Sequence, residues 1–104
     1  MIQTILKKDL SRRLSHYFYS DYDLMYGMID RYGEKISSIL LKEIQDMKSK
    51  IKPMDGFGKI SVCKKDDLND YNRYKKDISN CTNGSSTKTI NIDGDDYKIY
   101  IEYE

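Results

Sequence analysis

Residues 34–51 read EKISSILLKEIQDMKSKI, and this stretch organises the rest of the chain. Its apolar residues recur at steps of three and four, the spacing of one face of an α-helix. They are Ile36, Ile39, Leu40, Ile44, Met47 and Ile51. Lysines and acids fall largely on the other side. It is the longest dense apolar stripe in the sequence, so we expect other elements to pack on it.

Two further helical patterns precede this stretch. Residues 2–19 carry apolar residues at steps of four, from Ile2 to Phe18, which predicts an N-terminal amphipathic helix. Ser20 followed by Asp23 fits a helix N-cap, so a second helix is predicted to begin near residue 21. The second helix either runs through Gly33 with a bend or stops there and restarts. The apolar stripe keeps its phase across Gly33, which favours one long helix.

Shorter elements are predicted after Pro53, which ends the helical region. Residues 59–64 alternate between apolar and polar and predict a strand. Three acids at the front, Asp66, Asp67 and Asp70, predict a short helix that ends near Ser79. Residues 80–87 are small and polar, and we interpret them as a loop.

The chain closes with a predicted β-hairpin. Asp93-Gly94 lies between two alternating segments, residues 90–92 and 97–103, and Asp-Gly in this setting favours a tight turn. The fold class is therefore α+β. An N-terminal helical hairpin, with a long second helix as one option, is followed by β-α-β-β, and the small antiparallel sheet packs against the helices. We expect a single domain over residues 1–104, with a helical part (1–52) and a strand-helix-hairpin part (53–104).

Composition narrows the classes of function. The net charge is +1, divided into +3 over residues 1–52 and −2 over residues 53–104, whereas nucleic-acid-binding domains are usually strongly basic. No window approaches the roughly 18 apolar residues of a membrane span, so we expect a cytoplasmic protein without membrane contact. Cys63 and Cys81 are not in a zinc-binding pattern, and we expect both to be free thiols in a reducing compartment.

No catalytic or cofactor motif is convincing. His16 is the only histidine and lacks the orienting partners that base catalysis normally uses. Residues 84–89 end in the Lys-Thr of a phosphate loop but lack its glycine before the lysine. Residues 93–96 lack the spacing of a calcium-binding loop and fit a tight turn better. We therefore predict no catalytic residues, no metal and no cofactor.

Two groups of residues are candidates for partner contact. Residues 17–26 hold four tyrosines, which cannot all face one core, so some of Tyr19, Tyr22 and Tyr26 are expected to be at least partly exposed. The alternative for these tyrosines is packing against the sheet or the following helix. The hairpin is acidic, and Tyr100 is predicted to project from its outer face beside Glu102. The acidic candidates are Asp93, Asp95, Asp96 and Glu102.

The small size, the wealth of Lys, Ile, Asn, Asp and Tyr, and the missing catalytic set resemble, in general character, accessory proteins of AT-rich bacteria and their phages. Small inhibitors of host defence nucleases, anti-CRISPR proteins among them, share this character. The resemblance implies a non-enzymatic protein that acts through protein–protein contact in the host cytoplasm. Its acidic, tyrosine-bearing surface would occupy a basic nucleic-acid channel on a nuclease or similar partner. A homodimer is a further option.

An alternative hypothesis is a regulator that binds nucleic acid directly through the basic face of the N-terminal helix. The residues on that face are Lys7, Lys8, Arg12 and Arg13. The near-neutral charge and the lack of a clear helix-turn-helix make direct nucleic-acid binding the weaker hypothesis.

Overall fold

The computed structural model describes residues 22–80 and 84–104. The described elements are α1 (Tyr22–Lys50), β1 (Phe57–Lys64), α2 (Leu68–Ile78), β2 (Gly84–Ile92) and β3 (Asp95–Tyr103). The α+β class and the β-α-β-β order are confirmed. The helical-hairpin part of the prediction is partly wrong, since the described N-terminal region is one long helix. The predicted helix over residues 2–19 lies outside the described residues.

The chain divides into two units, Met1–Asp46 and Met47–Glu104. The division falls within the last turns of α1. The second unit contains the end of α1, the three strands and α2.

Helix α1 is interrupted at Gly33. This residue has φ 81° and ψ 175°, a combination that is essentially restricted to glycine because it has no Cβ. The backbone is helical on both sides, so two helical segments meet at Gly33 within the span Tyr22–Lys50, an arrangement between the two predicted alternatives. The break comes from a single residue in an extended conformation with positive φ.

The buried face of α1 follows the predicted apolar stripe in part. Before Gly33 the buried side chains are Met25, Met28 and Ile29. After it they are Ser37, Leu40, Leu41, Ile44 and Met47. Ile39, predicted to lie on the buried stripe, is 36% exposed, whereas Ser37 is 2% exposed. The predicted stripe is therefore confirmed at Leu40, Ile44 and Met47 and departs from the buried face at Ile39.

The three strands form an antiparallel sheet in the order β1-β3-β2. Val62 of β1 lies opposite Ile99, and Ile90 of β2 lies opposite Tyr97, so these side chains share one face. That face is apolar, and Val62 and Ile99 are fully buried. Between Phe57 and Ile60, β1 holds one more residue than the segment of β3 that it pairs with, which is a β-bulge in this edge strand.

The second face of the sheet packs on α2. Cys63 and Tyr100 form a buried cluster with Tyr74 of the helix, bordered by Tyr71 and Ile78. Tyr100 is only 3% exposed, so its predicted projection into solvent is wrong. Alternation along β3 placed it correctly on the face opposite Ile99. The helix that follows β1 covers that face, and the strand pattern alone does not reveal this cover.

The β2–β3 hairpin is confirmed. Asp93 and Gly94 both have positive φ, 53° and 90°, and the flanking residues Ile92 and Asp95 pair directly. This is the two-residue turn of type I′, which Asp-Gly favours. The loop predicted over residues 80–87 is too long, because β2 already begins at Gly84. The first residues of β2 are small and polar, yet they pair with the end of β3, beginning with Gly84 opposite Tyr103.

Candidate functional site

The structure does not bring the predicted contact residues together on one surface. Tyr19 and the four basic candidates, Lys7, Lys8, Arg12 and Arg13, lie outside the described residues. Tyr22 is the first residue of α1, and Tyr26 is 37% exposed. Tyr100 is buried. Glu102 lies six residues along β3 from Asp96, or roughly 20 Å at the usual rise of a strand. Glu102 and the turn acids therefore do not form one surface.

The turn acids belong instead to a surface that two loops build together. The Lys65 N–H donates to the Asp96 carbonyl at 2.8 Å, which joins the β1–α2 loop to the base of the hairpin turn. We call this surface the acidic end and define it as Asp66, Asp67, Asp93, Asp95 and Asp96. Asp66, Asp67 and Asp93 are exposed, and Asp95 and Asp96 are half-buried.

Hydrogen bonds fix the shape of the acidic end. The Asn91 amide donates to Asp96 Oδ1 at 3.0 Å, and its oxygen accepts from the Gly94 N–H at 3.2 Å. Lys64 Nζ lies 3.4 Å from Asp95 Oδ2, and this carboxylate raises the pKa of the lysine above its usual value. Asp67 caps α2, because its Oδ1 accepts from the Asp70 N–H at 3.0 Å. Three acids of the acidic end, Asp67, Asp95 and Asp96, are thus held in place by these contacts.

Arg73 locks α2 onto β1. Its guanidinium donates to Asp70 Oδ1 at 3.0 Å and to Asp77 Oδ2 at 2.6 Å on its own helix, and to the Val62 carbonyl of β1. Asp70 is 6% exposed, and its second oxygen accepts from the Lys64 N–H at 2.6 Å. Every one of these groups has a structural partner, so we interpret the cluster as a helix-to-sheet clamp and not as a reactive site.

A groove with a volume of about 380 Å³ lies between α2 and the β2–β3 hairpin. Four of its residues follow the helix spacing along α2, and the others come from adjacent positions on the two strands. The groove is lined by Tyr71, Tyr74, Lys75, Ile78, Thr87, Lys88, Thr89 and Lys98, and we call it the lysine groove.

The lysine groove is positively charged. None of its eight lining residues is acidic, and two of them, Lys75 and Lys98, place their ammonium groups beside it. Lys88 borders the groove in sequence, but its side chain lies on the other face of the sheet by alternation. The ammonium groups of Lys75 and Lys98 lie 4.8 and 5.7 Å from the centre of the Tyr71 ring. Tyr71 also stacks on Tyr74, with 6.2 Å between the ring centres and 16° between the ring planes. Two cations are thereby gathered around one aromatic side chain.

The core beneath the groove holds two titratable groups in their neutral forms. Burial raises the pKa of Tyr74 to about 12. Burial, helped by the charge of Asp70, also raises the pKa of the Cys63 thiol. Cys63 is a free thiol, as predicted, and Cys81 lies outside the described residues. A buried thiol with a raised pKa is a poor nucleophile at neutral pH.

Residues 22–80 and 84–104 contain neither a candidate metal site nor a candidate membrane span. In this part of the chain no three His, Cys, Asp or Glu side chains are grouped so that they could hold a metal ion. Nor does any described helix combine the length and the apolar character that crossing a bilayer requires. His16 lies outside the described residues.

Sequence reasoning missed the lysine groove and two members of the acidic end. Asp66 and Asp67 were interpreted only as helix-capping acids, and Asp67 does serve as the N-cap. Tyr71, Lys75 and Ile78 recur at helical spacing, and that signal could have marked a shared surface. Their meeting with Thr87 and Lys98 depends on the strand order, which local spacing does not reveal.

The chain matches no protein-family model, no curated protein and no solved structure.

Proposed function

We propose that this protein is a non-enzymatic binding protein that acts through protein–protein contact, and that the acidic end is its contact surface. The observation that carries the proposal is the convergence of two loops, joined from Lys65 to Asp96, on one ordered group of carboxylates. Such a surface is complementary to a basic patch and steers association with it.

The chemistry of the acidic end favours a nucleic-acid-binding partner. Carboxylates fixed on a rigid scaffold mimic the spaced negative charges of a phosphate backbone, and proteins that bind nucleic acids present basic channels for it. The partner that we propose is therefore a nuclease or another basic nucleic-acid-processing protein, including host defence complexes. Occupying the channel of such a partner would inhibit it without any chemistry by this chain.

The test compares two variants with the same change of charge. In the first, Asp66, Asp93 and Asp96 are replaced by Asn, which keeps the side-chain shape and suits the positive φ of residue 93. In the control, Asp55→Asn, Glu102→Gln and Glu104→Gln remove the same number of charges outside the acidic end. Each tagged protein is used to capture partners from lysate of the source cell, with and without nuclease treatment.

We expect a discrete protein partner that survives nuclease treatment, is retained by the control and is lost by the acidic-end variant. With the purified partner, the affinity should fall by roughly tenfold or more for that variant only. Equal capture by both variants would remove the acidic end as the contact surface. Recovery of nucleic acid alone, with all proteins lost on digestion, would instead support direct nucleic-acid binding by the chain.

A further inference from the structure

A second interaction surface lies at the opposite edge of the sheet from β1. Strand β2 is nine residues long and, among the described residues, pairs on one side only, with β3. Six of its residues have exposed side chains, including Thr87 and Thr89. An edge strand of this length presents backbone donors and acceptors to any extended segment that can align with it.

The register identifies which backbone groups face outward. Ile92 and Asp95 flank the two-residue turn and form the hydrogen-bonded pair that closes it. Hydrogen-bonded and non-hydrogen-bonded pairs alternate along an antiparallel ladder, so Thr89 and Thr87 direct their N–H and C=O groups away from β3. Their side chains share a sheet face with Lys98, which lies opposite Thr89, and they line the lysine groove.

The charges around this edge favour an acidic occupant. Lys75 and Lys98 place their ammonium groups at the lysine groove on one face of the sheet, and Lys88 lies on the other face by alternation. A segment added beside β2 would lie about 10 Å from β3, two strand spacings away. Carboxylates on that segment would be within the reach of the long lysine side chains.

Two other occupants fit less well. Single-stranded nucleic acid binds such grooves by stacking bases on aromatic rings, but Tyr74 is 4% exposed and stacks on Tyr71, whose ring already contacts two lysines. A second copy of this chain would pair β2 with β2. Because Lys88 is the central residue of Gly84–Ile92, the symmetric register would bring two lysines directly opposite each other.

We propose that an extended acidic peptide segment of a partner protein adds to β2 as a fourth strand, with alternate carboxylates directed into the lysine groove. This proposal is independent of the function assigned to the acidic end. It concerns a surface of opposite charge and a partner of opposite chemistry.

The experiment measures the binding of a fluorescent peptide of about ten residues in which Glu alternates with Val. A peptide with Gln in place of Glu tests the charge, and a single-stranded oligothymidylate of similar length tests nucleic acid. The variant Lys75→Glu/Lys98→Glu removes the charge of the groove. Lys65→Glu/Lys76→Glu is the control with the same change of charge, because both lysines are exposed and neither lines the groove.

We expect the Glu peptide to bind. The Lys75→Glu/Lys98→Glu variant should weaken its Kd by about tenfold or more, whereas Lys65→Glu/Lys76→Glu should change it less than about threefold. Thr89→Pro should also abolish binding, because it removes an outward N–H at an edge where proline is tolerated. Thr89→Val keeps that N–H and should bind normally. Amide chemical shifts should move at Thr87–Thr89 on addition of the peptide.

Several results would overturn the proposal. One is the absence of Glu-peptide binding up to about 1 mM, and another is equal affinity for the Gln peptide. Tighter binding of the oligothymidylate would replace the peptide with nucleic acid as the occupant. Equal losses from Lys65→Glu/Lys76→Glu and from the groove variant would show general charge attraction only. The lysine variants alter exposed or half-buried side chains, so they remain informative if Thr89→Pro does not fold.

Discussion

Asp70 is the residue on which the attachment of α2 to β1 most depends. Asp70→Asn keeps the volume but presents an N–H₂ group to the donors of Arg73 or Lys64, so one buried donor loses its acceptor. We expect the free energy of unfolding to fall by about 3 kcal/mol, measured by urea denaturation. Asp77→Asn is the control, because that carboxylate is 36% exposed. Its cost should be about 1 kcal/mol or less, and a larger loss at Asp77 than at Asp70 would contradict this account.

Tyr74 should make the fold sensitive to high pH. Its pKa is about 12 in the folded protein and 10 in an ordinary environment, so the unfolded chain releases the proton first as the pH rises. The stabilising effect of neutral Tyr74 is therefore complete below pH 10 and is lost progressively between pH 10 and 12. The melting temperature of the wild type should fall more steeply across this interval than that of Tyr74→Phe. Identical slopes would show that Tyr74 does not control the alkaline transition.

At the scale of the element, the interruption of α1 predicts opposite effects at two glycines of one helix. Gly33→Ala forces a Cβ into a backbone conformation with φ 81° and should reduce the free energy of unfolding by about 1–3 kcal/mol. A Cβ at position 33 would meet no other atom within 4 Å, so this loss would come from the backbone alone.

The control for that prediction is Gly27→Ala, within the same helix. Its new Cβ would meet only the mobile end of the Arg31 side chain, at 3.0 Å. Alanine favours a helix over glycine by roughly 1 kcal/mol, so this variant should be as stable as the wild type or more stable. Thermal unfolding followed by circular dichroism compares the two. A stabilising Gly33→Ala would mean that α1 runs through residue 33 without a break.

Local chemistry explains which elements could be predicted from the sequence. The type I′ turn depends on two residues, Asp93 and Gly94, and the N-cap of α2 on one, Asp67, so neighbouring residues were enough to predict both. The start of β2 could not be predicted in this way. Residues 84–87 are small and polar, with no apolar alternation, and they are strand only because β3 supplies their hydrogen-bond partners.

At the scale of the whole molecule, the candidate sites depend on strand order more than on composition. The acidity of the hairpin turn was visible in the sequence, whereas the approach of the β1–α2 loop to it was not. Tyr100 shows the same limit: its face was predicted correctly, but its burial depends on where α2 lies. The lysine groove combines three elements and appears only after β3 is inserted between β1 and β2.

The order of the strands also affects how the protein is made. Strands β1 and β2 do not pair with each other, and β3, which joins them, comes after both in the chain. Ribosomes add about 5–20 residues per second, so after β2 is complete a nascent chain carries two unjoined strands for about a second until β3 follows. During that interval the apolar side chains of β1 are exposed, because β3 has not yet paired with them, and a chaperone can bind them. Emergence of β3 is thus the event that allows the sheet to form.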